Sequence, residues 1–133
     1  MVTGGVFERF PRLKVVFFEC SAEWILYWMH RMDDDFQWLK DDQERHMPIP
    51  LSMPPSEYVK RNCYVTMEAD ERPSVFALSL EELGVEHILM ASDYPHFDSE
   101  FPHTVATLRA REDLTAGQKD KILGENAARL LRL

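Results

Sequence analysis

Residues 87–96 read His-Ile-Leu-Met-Ala-Ser-Asp-Tyr-Pro-His. The apolar stretch shows no polar alternation, which suits a strand buried on both faces, as in a parallel sheet. It runs straight into Ser92 and Asp93, and Pro95 fixes the direction of the chain beyond them. Two earlier stretches repeat the pattern. Lys-Val-Val-Phe-Phe at residues 14–18 leads into Glu19, and Cys-Tyr-Val-Thr-Met at residues 63–67 leads into Glu68. Each predicted strand therefore ends at an acid.

Helical signals fill the intervals. Ser21 is placed to cap a helix with Glu23 in its first turn. Trp24, Trp28 and Met32 recur at a spacing of four and predict the buried stripe of that helix, widened by Ile25 and Phe36. Four prolines (48, 50, 54 and 55) predict an irregular excursion over residues 41–60. Pro73 opens a helix lined by Phe76, Leu80 and Leu83, and Gly84 stops it. Phe101, Val105 and Leu108 share a face of the next helix, which Pro102 opens. Thr115 and Gln118 form a capping box for the last helix, where Gly124 is a candidate kink. Strands separated by helices are joined by crossovers and run parallel, so the expected class is α/β. One partial domain over residues 1–133 is expected. Its parts are strand and helix (14–40), the excursion, strand and helix again (63–84), and a final strand, site loop and helices (87–133).

The chain has 133 residues, with 15 Lys+Arg against 23 Asp+Glu and a net charge of −8. An acidic balance argues against nucleic-acid or anionic-membrane partners, which a basic patch would recruit. No apolar run approaches the ~20 residues of a membrane span, and no secretory signal opens the chain. A cytoplasmic location is expected. Cys20 and Cys63 read as two buried free thiols in a reducing compartment.

Ligands in parallel α/β sheets meet the carboxyl ends of the strands. Glu19, Glu68 and Asp93 are therefore the candidate site acids. Three carboxylates around one crevice call for a balancing cation or a shared proton. Asp93 has the most suggestive company: Ser92 to hydrogen-bond it, Pro95 to hold the loop's direction, and His96 three residues on, within reach of the same pocket. A rigidly held Asp at a strand end can ligate a metal and accept a proton from bound water. The remaining histidines are weaker candidates. His30 and His46 look solvated, His87 opens a strand at its amino end, and His103 sits in a helix's first turn. Asp33, Asp34 and Asp35 with Asp41 and Asp42 read as a solvated face without calcium-loop spacing. There is no phosphate-binding Gly-rich loop and no Gly-x-Ser-x-Gly elbow.

Five stretches together resemble the amidohydrolase-2 branch of the amidohydrolase superfamily, which holds aminocarboxymuconate-semialdehyde decarboxylase and related hydrolases and decarboxylases. They are residues 7–17, 19–33, 55–65, 88–96 and 122–131. The resemblance implies a (β/α)8 barrel of which this chain matches the carboxyl-terminal three strands and closing helices, in a fold of ~250 residues or more. It implies that Asp93 is the metal-binding and catalytic aspartate after the last strand. Glu19, Glu68, Tyr94 and His96 then shape the substrate pocket. Glu19 stands where some relatives carry a catalytic histidine. The family's His-x-His pair and a further His ligand are not found in this sequence. The implied cofactor is a divalent metal, zinc foremost, acting on a small-molecule substrate in the full enzyme. This chain alone is expected to be inactive. Two other readings stay open: a silent assembly module that self-associates or joins the missing half through exposed barrel edges, and a metal-free Asp93–His96 acid/base pair.

Overall fold

The computed structural model describes residues 1–133 as two compact units. The first comprises Met1–Val15 and Trp24–Tyr64; the second comprises Val16–Glu23 and Val65–Leu133. No helix is long and apolar enough to cross a membrane.

The first unit is helical: α1 (Val6–Arg9), α2 (Trp24–Leu39), α3 (Gln43–His46) and α4 (Pro55–Asn62). Here the sequence expectations need correction. Ile25, Leu26, Met29 and Phe36 form the buried face of α2, while Trp28 is 50% exposed. The stripe is rotated because α2 packs on α4, a helix that the proline count concealed. Pro55 sits in the first turn of α4, where its missing N–H costs nothing. Asp33 is not simply solvated: its Oδ1 accepts a 2.8 Å hydrogen bond from the Ser56 N–H in that first turn. The excursion is also partly regular, through α3, and Met47 and Leu51 from it are buried. Glu23 precedes α2 rather than lying in its first turn.

Most of the sheet belongs to the second unit. β1 (Val15–Phe17), β2 (Cys63–Met67) and β3 (Ile88–Met90) are parallel and lie in the order β1-β2-β3. Val65, Thr66 and Met67 pair with Ile88, Leu89 and Met90. All of β2 is buried, as a central strand should be, whereas β1 is only half-buried at the sheet's edge. Cys20 is likewise exposed rather than buried, while burial pushes the Cys63 thiol up to about 11.

Around the sheet come α5 (Pro73–Glu82), α6 (Thr104–Ala110), α7 (Ala116–Asp120) and α8 (Asn126–Leu131). Gly84 ends the α5 segment at φ +88°, a conformation that favours glycine. Phe76, Ser79 and Leu83 are buried on that segment. On α6, Thr104 and Leu108 face inward, whereas Phe101 and Val105 are 55% and 46% exposed. The Thr115–Gln118 capping box forms as expected. Lys121–Glu125, around Gly124, is a π-helical turn that packs on β3 through the buried Ile122.

Candidate active site

β1 and β3 deliver their acids on tight backbone turns. Glu19 has φ 58° and Asp93 has φ 55°, left-handed values that cost a non-glycine residue on the order of 1–3 kcal/mol. Aspartate tolerates this region better than glutamate does. Glu19 is held there because its N–H donates to the buried Thr66 Oγ1 of β2 at 3.0 Å. Ser21 shares the strain at φ 57°, and the adjacent Ala22 N–H donates to Glu71 Oε1 at 3.2 Å.

These turns bring Glu19, Asp93 and His96 together. One ligand atom from each lies within 4.8 Å of the others. His96 Nδ1 is 2.8 Å from Asp93 Oδ1, and the His96 N–H on the backbone donates to the Asp93 carbonyl. Two carboxylates and an imidazole form an oxygen-and-nitrogen donor set that suits zinc or manganese. The residues present fit a divalent cation.

Glu68 and Asp93 line one cavity of about 170 Å³ with Asp70, Asp98 and Glu100. Burial raises the Glu68 carboxyl above its ordinary range, and the negative charges of Asp70, Asp93, Asp98 and Glu100 add to the rise. Tyr94 is placed differently. It is 65% exposed and packs its ring on Phe101 at 4.6 Å, outside that cavity lining. The peptide bonds before Pro95 and Pro102 are cis.

Two residues that sequence reading missed hold this loop framework. Glu71 is 8% exposed and its Oε1 also accepts the Glu68 N–H at 2.9 Å. It therefore ties the segment after β1 to the segment after β2. Burial pushes its carboxyl up to about 7 against the pull of those two N–H donors. Arg111 is 9% exposed, and its Nη1 donates to the carbonyls of Ala69 and Glu71 at 3.1 and 2.6 Å. Asp113 neutralises it through two further bonds, and Phe76 lies beneath its guanidinium. Neither residue belongs to a local motif, so spacing alone carried no signal for them.

The sequence matches the profile of the family described as Amidohydrolase over residues 1–133. The chain belongs to the amidohydrolase family. This amidohydrolase chain is 25% identical over 95 residues to a gamma-resorcylate decarboxylase from Polaromonas sp. strain JS666, covering 71% of the chain and 28% of that relative. It is similar to the crystal structure of 5-carboxyvanillate decarboxylase from Sphingomonas paucimobilis, with a TM-score of 0.82 and 32% identity. That match covers all of this chain and 38% of the other. A dihydroxybenzoic acid decarboxylase from Polaromonas sp. JS666, solved with manganese and the inhibitor 2-nitroresorcinol, shares the fold at TM-score 0.79 and 23% identity. This last match covers 99% of the chain and 37% of that structure. The amidohydrolase chain thus spans about a third of the length of these relatives.

Proposed function

We propose that this chain supplies the carboxyl-terminal, Asp93-bearing share of a divalent-metal centre, and that the parent reaction is non-oxidative decarboxylation of a small aromatic acid. The observation that carries the reading is the convergence of Glu19, Asp93 and His96 just past β1 and β3. The decarboxylases named for the similar proteins support the choice of reaction over hydrolysis.

A divalent cation at this cluster supplies positive charge that orients an anionic substrate and polarises it. The chain's own side chains supply the rest. Asp93 and Glu19 offer carboxylate ligands, and the Asp93–His96 bond holds a proton that either group can pass on. Glu68 lines the cavity beside Asp93, and burial and the neighbouring acids raise its carboxyl above the ordinary range. With only three donors from this chain and no His-x-His pair, the 133 residues alone bind metal but do not turn over substrate.

Metal analysis of the full chain after equilibration with equimolar zinc and manganese tests the proposal. The expected result is one metal per chain, with zinc, the metal the resemblance favours, competing against the manganese of the Polaromonas structure. Asp93→Asn should weaken binding by at least about tenfold, a loss of ~1.4 kcal/mol. Unchanged stoichiometric binding in that variant overturns the ligand assignment.

A second reading has its own observation. β1 and β3 are both edge strands, and Phe18 lies 59% exposed just past β1. Unpaired edges template pairing with further strands, so we propose that the sheet is completed by another segment or another copy. Sedimentation of the purified chain checks this: a monomer at every concentration counts against self-pairing.

A further inference from the structure

The cavity between the loops after β2 and β3 is more acidic than the Glu19–Asp93–His96 cluster requires. Glu68, Asp70, Asp93, Asp98 and Glu100 line it, and no Lys, Arg or His does. Five carboxylates on one concave surface repel each other unless a cation sits among them. A second observation is independent of charge. Thr104 lines the same cavity, is 5% exposed, and its Oγ1 has no hydrogen-bond partner. The Oε2 atom of Glu100 is also buried and without a partner. Buried polar atoms are satisfied in the great majority of cases, and an ion is one of the few explanations for an orphan. Two orphaned oxygens on one acidic cavity share a single explanation.

We propose that this cavity binds a hard divalent cation of the calcium or magnesium kind, held by the Glu68, Asp98 and Glu100 carboxylates with the Thr104 hydroxyl. The choice of cation follows from the donors. The lining offers oxygen alone, the preference of calcium and magnesium, whereas the neighbouring cluster includes an imidazole. The space fits as well. A cavity of about 170 Å³ is several times the ~30 Å³ that one water occupies, so the ion retains part of its hydration shell. The ion joins the loop after β2 to the loop after β3. It therefore braces the backbone that holds Asp93, without itself being the metal of the Glu19–Asp93–His96 cluster.

Calcium and magnesium titrations of the metal-free full chain, read by calorimetry and by melting temperature, test the site. One ion should bind with Kd on the order of 10⁻⁴–10⁻³ M, the range of modest oxygen-only sites, and raise Tm. Glu100→Gln and Asp98→Asn should each weaken binding about tenfold or more, and Thr104→Val should weaken it while Thr104→Ser retains it. His96→Asn should leave the calcium response unchanged. Equal calcium responses in wild type and Glu100→Gln overturn the proposal, as does no binding of either ion at about 10 mM, well above that range. A calcium response lost in His96→Asn but kept in Glu100→Gln also overturns it, while leaving the Asp93 metal centre standing.

Discussion

At the amino end of β3, the fully buried Asn126 donates its amide hydrogens to the carbonyls of Val85 and Ile88 at 2.7 and 2.8 Å. Its Oδ1 accepts from Arg129 at 2.9 Å, and Glu86 pairs with Lys121 beside it. At the carboxyl end of the same strand the pattern reverses. Asp93 is held at φ 55°, and Thr104 and Glu100 keep buried oxygens without partners. Glu71, which ties the loops there, leaves its Oε2 unpartnered as well. One end of the strand is satisfied and the other is strained and acidic. In barrel-type sheets the amino face serves stability and the carboxyl face serves chemistry. The contrast here is that division expressed in single atoms.

The largest expected effect lies at the satisfied end. Asn126→Ala removes the side-chain donors to the Val85 and Ile88 carbonyls from a fully buried position and should cost about 3 kcal/mol, measured by urea unfolding. Metal binding by the fraction that folds should be unchanged. A loss under about 1 kcal/mol would remove the basis for calling this end the stabilising one.

Glu71 sets the next effect. Its folded carboxyl titrates near 7, above the ordinary 4.5 of the unfolded chain. The folded state therefore keeps this proton where the unfolded state has released it. The resulting stability is complete below pH about 4.5 and is lost as pH rises through about 7. The loss is on the order of 2–3 kcal/mol, and Glu71→Gln should flatten it while retaining the Oε1 acceptor. Unfolding curves from pH 4 to 8, a window spanning both values, check the sign. A variant curve parallel to wild type would show that Glu71 does not titrate there.

Arg111→Met keeps much of the packing over Phe76 but strips the donors from the Ala69 and Glu71 carbonyls. It should cost about 2 kcal/mol and loosen the loop that carries Glu68, visible as faster hydrogen exchange at residues 68–71. The smallest effect has the opposite sign. Glu19→Gly relieves the left-handed strain and should stabilise the chain by up to about 1 kcal/mol, while weakening metal binding at the Asp93 cluster. Stabilisation with undiminished metal binding would separate Glu19 from the site.

Much of the fold was legible because its strong signals are local. Unalternated apolar runs mark β2 and β3 within a residue of their observed limits, and Gly84 and the Thr115–Gln118 box mark helix ends by chemistry confined to one turn. Helix faces were less legible. Tryptophan spacing pointed to one side of α2, but burial follows the neighbour: α2 packs on α4, and Leu26 and Met29 are buried beside the expected Ile25 and Phe36 while Trp28 is exposed.

The sequence by itself determined the alternation of strands and helices, the family, and the acids that follow each strand, because all of these reside in contiguous residues. Only the tertiary structure decided which acids meet. Glu19 reaches Asp93 and His96 through a Thr66 hydroxyl contributed by another strand, and Glu68 faces Asp98 and Glu100 across a cavity instead. Tyr94, adjacent to Asp93 in sequence, turns outward onto Phe101. A site is a set of distances between residues far apart in the chain, and long-range packing sets those distances.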